Sequence, residues 1–486
     1  MTYFLWALPM LTVFAAIVSG RANTTIAAVL GLLVAVPVTL LLGPVAFDTA
    51  QLGQALLRGL WVGTIIVPYI LGGLLFWQVA ARGASTHAGT TTAPVQVPLG
   101  NRRLVFFACF LVGPFAESVT GFGVGMLGTV MLIRHLGFRP RQLMVFALLS
   151  QTVIPWGVMS SATLLAAAYA RVPVVQLGVY SVLPVALLML IWMPLFWRTA
   201  RGAGVGAPLS EHVRESIWVA VSLGLLTVAT QYLGPEAALL AAYGPLIVIR
   251  YLLDFRPRRK QAIAAARNVL PYIVLIIMLA LTRLLPDARN TLATLLALTP
   301  FDDLPTLSPF LHAGSWLIVG TFATAAARQQ VHVLVPEAQA AWRTGKQAVL
   351  TVFLFAMIAE VLTASGIADA FATGTLAALG EKAILVTPLL SGTLSILTNN
   401  ANSSSILFLP AQVALASQAG LSVLAVATLQ HVTATAMCIF SPVRMSIAAG
   451  LAHGHGQERL VYRELLPAII AAYLLLLTMA AWVMTT

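Results

Sequence analysis

Hydrophobic residues occur throughout the chain in long runs that short polar connections separate. A helix needs about 20 apolar residues to cross a bilayer, and this length predicts about twelve spans. The predicted spans are 3–20, 24–43, 58–80, 142–170, 174–197, 215–232, 237–253, 268–285, 313–327, 347–366, 421–451 and 465–484. The pattern therefore predicts an all-α polytopic membrane protein.

Two further apolar runs, 104–133 and 383–415, are interrupted in the middle by small and polar residues. The interruptions read "ESVTGFG" and "TNNANSSS". Irregular backbone at membrane depth requires protein or a water-filled cavity around it. We therefore interpret both runs as re-entrant hairpins, with an ordinary exterior loop as the alternative for the second.

Two of the predicted spans are also broken. Pro155 interrupts 142–170 within "SQTVIPWGVMSS", and Pro442 interrupts 421–451 within "CIFSPVR". Proline removes a backbone donor and disrupts a helix interior. Broken helices at corresponding positions of two halves indicate the central binding site of a transporter.

The two hairpins differ in the charge of the segment that follows each of them. The first is followed by "RHLGFRPR" and the second by the uncharged "ASQAGLS". Most basic residues fall on the side of the first connector, which the positive-inside rule makes cytoplasmic, with both termini outside. This predicts two inverted repeats, 1–197 and 268–486, joined by 198–267. The repeats hold the hairpins 104–133 and 383–415 and the broken helices 142–170 and 421–451.

Composition agrees with a membrane protein and excludes other classes. Of the 486 residues, 59% are hydrophobic and only 9% are charged, compared with about 25% charged in soluble domains. The net charge of +12 comes from scattered basic residues, which argues against nucleic-acid binding. Two cysteines provide neither a disulfide framework nor a metal site. No cofactor is expected.

The broken segments supply the candidate site residues. Arg444 follows Pro442 closely and is the only Arg or Lys within a broken span, so we expect it to bind a carboxylate. The other expected substrate-binding residues are Ser441, Asn399, Asn400, Asn402, Ser403, Ser404, Thr120, Gly121 and Gln151. The candidates for proton coupling are Glu117, His431 and Glu360. Structural roles remain the alternative for Glu117, Arg444, Glu360 and His431.

These segments resemble the lactate permease family of bacterial 2-hydroxymonocarboxylate transporters. That family carries an E-G-x-x-G-F-G motif, a polar hairpin tip and a late I-S-P, which are similar here to "ESVTGFG", "LTNNANSSS" and "FSPVRMSIAAGLAHGHGQE". Ser118 stands where the family has its first glycine, and Asn400 with Asn402 replaces its S-N-T pattern.

The resemblance implies proton-coupled symport of lactate, glycolate or a similar small carboxylate by elevator-like alternating access. It also implies a fold similar to the ion-transporter superfamily and a place in the bacterial cytoplasmic (inner) membrane, with a homodimer as one assembly. A sodium/proton exchanger or another anion transporter is the closest alternative, and sodium could replace the proton. A membrane-embedded enzyme would need paired aspartates, HExxH or an activated serine, which the apolar segments lack. We therefore expect a transporter rather than an enzyme.

Overall fold

The protein is described by a computed structural model that covers residues 2–85, 100–121 and 123–485. Residues 86–99 of the predicted first repeat and Phe122 of the first hairpin tip lie outside the described residues. The described chain is all-helical, at 84% helix, and contains no β-strand.

The helices are numbered here in chain order, and the bounds of the first half come first. They are α1 (Thr2–Val18), α2 (Thr24–Leu42), α3 (Thr49–Ser85), α4 (Gly100–Phe107), α5 (Gly113–Thr120), α6 (Val124–Ile133), α7 (Pro140–Leu149), α8 (Gly157–Ala170), α9 (Val174–Gly202), α10 (Leu209–Leu233) and α11 (Pro235–Phe255). A π-helical turn, Ala108–Val112, joins α4 to α5.

The second half continues the same numbering. Its helices are α12 (Arg259–Leu284), α13 (Pro286–Thr294), α14 (Ala313–Ala327), α15 (Leu334–Ala364), α16 (Ile367–Leu379), α17 (Val386–Thr398), α18 (Ala401–Gln418), α19 (Val423–Cys438), α20 (Pro442–Ala452) and α21 (Glu458–Val483). Short 3₁₀ turns precede α8, α15 and α17.

The prediction of about twelve membrane spans is confirmed. Eleven helices of the described chain are long and apolar enough to cross a membrane, and the bent pair α7 and α8 makes a twelfth. The individual bounds differ from the prediction in several places. The predicted spans 3–20 and 313–327 form the shorter helices α1 and α14, of 17 and 15 residues. Gly100–Thr120 and Ile367–Thr398 are long and apolar enough instead. Each of them runs into a segment that is predicted as a re-entrant hairpin, and α16 was not predicted.

The order of helices from α3 to α9 recurs from α15 to α21. Each series has a long helix, a helix pair that meets at a short turn, a broken helix and a final long helix. The two series also interlock, because α3 packs along α15, α8 packs against α18 and α19, and α7 packs against α20. That the two series are inverted repeats with re-entrant hairpins stays a prediction.

The first tip turns at two glycines whose conformation explains the break between α5 and α6. Gly121 and Gly123 have φ of 67° and 82°, a region that side chains rarely adopt. A Cβ on Gly121 would also lie 2.2 Å from Val158 Cγ2 in the neighbouring broken helix. Only glycine therefore allows the first tip to approach α8 this closely.

The other three breaks have their own local causes. α7 ends at Leu149 and the chain bends by 63° before α8, where 158–160 have positive φ. The second tip turns at Asn399, with φ 54°, a conformation that asparagine tolerates better than most residues. α20 begins at Pro442 and is capped by the Ser441 hydroxyl, which accepts from Arg444 N at 3.1 Å.

Candidate functional site

All four breaks line one cavity of about 350 Å³. Such a volume lies at the lower end of the range for small-molecule sites, about 300–1,000 Å³. The wall formed by the breaks includes Glu117, Gly121, Gly123, Gly157, Asn399, Asn400, Asn402 and Arg444. The remaining lining, which we call the second wall, comes from α2, α3 and α15 and includes Thr24, Ile70, Thr344, Gln347, Ala348 and Thr351.

Arg444 is the only basic side chain among the described residues that line this cavity, and neighbouring acceptors fix its orientation. Its Nε donates to Asn399 Oδ1 at 3.3 Å, and its Nη1 donates to Gln151 Oε1. Within the described part of the chain, its Nη2 has no hydrogen-bond partner. The guanidinium is therefore held in place by two amides and keeps donors available for a ligand in the cavity.

Glu117 closes the first tip by accepting hydrogen bonds at the start of α6. Its Oε2 accepts from Gly125 N at 3.0 Å, and its Oε1 accepts from Gly123 N at 3.3 Å. Free amides at a helix start favour a carboxylate because of their direction and the helix dipole. Glu117 thus has a structural contact at this helix end while it also lines the cavity.

The carboxylate and the guanidinium lie close to each other but not in direct hydrogen-bonding contact. Arg444 Nη1 is 3.8 Å from Glu117 Oε1, and the two side chains are 10% and 5% exposed. Gln151 bridges them, because its Nε2 donates to Glu117 Oε2 at 3.3 Å. A buried charge is costly unless partners surround it, and here the two charges share one amide. The site thus joins Asn399, Arg444, Gln151 and Glu117 in one chain of contacts.

The second tip contributes amides rather than a charge. Asn399 Oδ1 accepts from the Ser441 hydroxyl at 2.6 Å as well as from Arg444. Asn400 is the N-cap of α18, and its Oδ1 accepts from Asn402 N at 3.0 Å. Because these oxygens are occupied, the amide nitrogens of Asn399 and Asn400 are the groups that remain free to donate.

Five of the ten predicted substrate-binding residues do not line the cavity. Two of them, Ser441 and Gln151, contact Asn399 and Arg444 instead. The other three make contacts near the tips. Thr120 is buried, and its hydroxyl donates to Ala116 O at 3.0 Å. Ser404 donates to Ser391 O at 2.9 Å, which ties α18 to α17. Ser403 is also buried, and its hydroxyl has no hydrogen-bond partner within the described chain.

Two candidates for proton coupling lie outside the cavity lining. His431 is fully buried, with Nε2 3.0 Å from the Thr163 hydroxyl. Glu360 accepts from Arg58 Nε at 2.8 Å, and Arg58 also binds Asp303. Of the three candidates, the structure brings only Glu117 to the cavity wall.

The polar side chains of the second wall are not predicted from the sequence. Thr344, Gln347 and Thr351 lie three and then four residues apart, so they fall on one face of α15. This spacing is a weak signal, because Arg343 and Lys346 also interrupt the apolar pattern in this part of α15. The predicted span began at 347, which placed Thr344 in a loop.

The described residues contain no group of three or more His, Cys, Asp or Glu side chains that could bind an ion. The wall formed by the breaks offers N–H donors on Arg444, Asn399, Asn400 and Asn402. The arrangement therefore favours an acceptor-rich, anionic ligand.

Neither a protein-family model nor a curated protein matches the chain.

Proposed function

We propose that the protein is a secondary active transporter that carries lactate, glycolate or a similar small 2-hydroxymonocarboxylate together with a proton. It moves the substrate by alternating access and does not convert it chemically. The polytopic helical architecture is compatible with this class of protein.

One observation carries the proposal. Four helix breaks meet at a single cavity, and an arginine with a free guanidinium nitrogen lies on its wall. Broken helices around a central site are typical of secondary transporters. A guanidinium and several amide donors match a carboxylate better than they match a cation. One arginine on the wall suits one carboxylate, which favours monocarboxylates over dicarboxylates.

Glu117 is the proposed coupling group. It lies beside Arg444, and Gln151 contacts both side chains. When Glu117 binds a proton, the attraction between its carboxylate and Arg444 is lost, and Arg444 becomes more available to the substrate carboxylate. Proton binding and substrate binding would therefore favour each other, which is what symport requires.

The proposed arrangement in the membrane is two inverted repeats with re-entrant hairpins, both termini outside, in a bacterial cytoplasmic membrane. A homodimer is the proposed assembly. Single cysteines at Arg139 and Gln418, both exposed, test the orientation in a chain whose Cys109 and Cys438 are replaced by alanine. The proposal expects these two positions to react with an impermeant thiol reagent from opposite sides. Reaction from the same side would refute the inverted arrangement.

Uptake into liposomes tests the function. Purified full-length protein is reconstituted, and labelled lactate, glycolate, propionate and succinate are offered under an imposed proton gradient, sodium gradient or neither. We expect lactate and glycolate to accumulate only with the proton gradient inward. Accumulation driven by the sodium gradient would show that sodium is the coupling ion. The absence of uptake of any carboxylate under any gradient would reject the function.

A further inference from the structure

The cavity has two walls of different chemistry. The wall formed by the breaks carries both charged side chains of the described lining, Glu117 and Arg444. The second wall is neutral, and its polar members are Thr24 on α2 and Thr344, Gln347 and Thr351 on α15. A ligand that binds Arg444 in this cavity can therefore also contact uncharged polar groups.

The three threonines of the neutral wall already use their hydroxyl protons within the protein. Thr344 donates to Ala340 O at 3.0 Å, and Thr351 donates to Gln347 O at 2.6 Å. Thr24 donates to Thr398 O at 3.4 Å. These contacts leave the threonines little freedom to reorient towards a ligand.

Gln347 differs from these threonines. Its side chain is exposed and lines the cavity, and its amide has no hydrogen-bond partner within the described chain. A glutamine amide carries one acceptor oxygen and two N–H donors. It can therefore accept the proton of an alcohol and also donate to a second oxygen, which Arg444 cannot do because it only donates.

We propose that Gln347 is a specificity-determining residue that binds the 2-hydroxyl of the substrate. This inference rests on the proposed function, since it assumes that Arg444 binds the carboxylate of the same molecule. The substrate then lies between the two walls, with its carboxylate on α20 and its hydroxyl on α15. A site that hydrogen-bonds a hydroxyl discriminates against the analogue that lacks it, because its polar group is left unpaired.

A pair of ligands that differ only in the hydroxyl provides the test. Dissociation constants for lactate and propionate are measured on monodisperse, detergent-purified full-length protein. The variants are Gln347→Leu, which removes the amide at similar volume, and Gln54→Leu, which makes the same change at an exposed position of α3 outside the cavity lining. We expect Gln347→Leu to weaken lactate binding about 3- to 10-fold and to leave propionate binding unchanged. Gln54→Leu should change neither constant.

A second variant tests the position of the side chain without relying on the hydroxyl. Gln347→Glu adds a negative charge to the cavity lining, so it should weaken the binding of both acids. An unchanged ratio of the two constants in Gln347→Leu, or unchanged binding of both acids in Gln347→Glu, would overturn the role of Gln347. Failure of the unmodified protein to bind either acid would reject the proposed function and this inference with it. The two failures are therefore distinguishable.

Discussion

The two tips, between α5 and α6 and between α17 and α18, line the same cavity but differ in charge. At the first tip, the carboxylate of Glu117 accepts from the amides of Gly123 and Gly125 at the start of α6. At the second tip, the neutral amide oxygen of Asn400 accepts from Asn402 N at the start of α18. Both tips thus satisfy free backbone donors at a helix start, which is a general requirement of buried helix ends.

The difference assigns separate tasks to the two tips. Only the first contains a group that can bind and release a proton. At the second, Asn399 orients Arg444, which lies in α20, the second part of the broken helix. Gln151 contacts both Glu117 and Arg444. On our account, one half supplies the coupling carboxylate and the other half supplies the anion-binding arginine.

The largest effect is expected from Arg444→Ala, which removes the guanidinium that we propose binds the substrate carboxylate. Hydrogen bonds to a charged group are worth about 1.5–3 kcal/mol each, so lactate affinity should fall at least about 10- to 100-fold. Arg444→Lys should give an intermediate loss, because lysine keeps the charge without the planar fork. Titration calorimetry on purified protein measures both changes.

Arg343→Ala is the matched control, because Arg343 is exposed on α15 and does not line the cavity. It should bind lactate as the unmodified protein does. If Arg444→Ala only lowers the melting temperature and the folded fraction keeps its lactate affinity, Arg444 has a structural role.

Glu117→Gln removes the titratable group of the first tip and makes the two tips alike in charge. The amide oxygen can still accept from one of the two glycine amides at the start of α6, so the fold should be retained with a modest loss of stability. Proton-driven accumulation should be lost, whereas exchange of labelled for unlabelled lactate should continue. Glu360→Gln is the control outside the cavity, and it should retain accumulation. If Glu360→Gln loses accumulation and Glu117→Gln retains it, Glu360 is the coupling group instead.

Asn400→Asp makes the tips alike in the opposite way, by adding a carboxylate to the second. Aspartate also caps helices well, so the helix start of α18 should remain intact. The added negative charge on the cavity wall should weaken lactate binding about tenfold, which corresponds to about 1.4 kcal/mol of repulsion. The lactate affinity of the variant is compared with that of the unmodified protein at low and at high ionic strength. If the two proteins bind lactate equally well under both conditions, the charge difference between the tips does not matter for binding.

The smallest effect is expected outside the tips, in the ion-pair network of Asp303. Its two oxygens accept from Arg58 at 2.9 and 2.7 Å, and a hydrogen bond from this guanidinium lowers the pKa of Asp303 below its usual value. A lowered pKa stabilises the folded state above the ordinary pKa of about 4, and this contribution disappears as the pH falls through the lowered value. Because Asp303 is 39% exposed, the stabilisation is at most about 1 kcal/mol.

Asp303→Asn should therefore lower the melting temperature slightly at pH 7, and the difference from the unmodified protein should shrink at acidic pH. Lactate affinity should be unchanged. A difference in melting temperature that grows on acidification would contradict the assigned role of this carboxylate.

The sequence predicts the helical class and the breaks well, because both depend on local signals. Apolar length identifies most spans, and Pro155, Pro442 and the small polar tips identify the interruptions. Helix ends are less predictable. α3 extends to 37 residues, beyond the predicted 58–80, because helix continues into polar sequence such as "TAQLGQALLR" once its apolar face is packed.

The site is predictable only in part. Glu117 and Arg444 stand out because a charge in an apolar segment is conspicuous, and both line the cavity. Gln347 does not stand out, since its role depends on which face of α15 meets the breaks. His431 and Glu360 were conspicuous for the same reason as Glu117, but tertiary packing places them against Thr163 and Arg58. Which charged groups share a cavity follows from contacts between helices that are distant in sequence.

The central claim is that one carboxylate binds between the two walls of the cavity, and ligand density tests it most directly. The measurement is cryo-electron microscopy of the full-length protein in saturating lactate, at a resolution sufficient for ordered small ligands. The account predicts density inside the cavity, with the carboxylate within hydrogen-bonding distance of Arg444 and the remainder directed towards Gln347. Density at another place, with the cavity empty of ligand, would contradict the account.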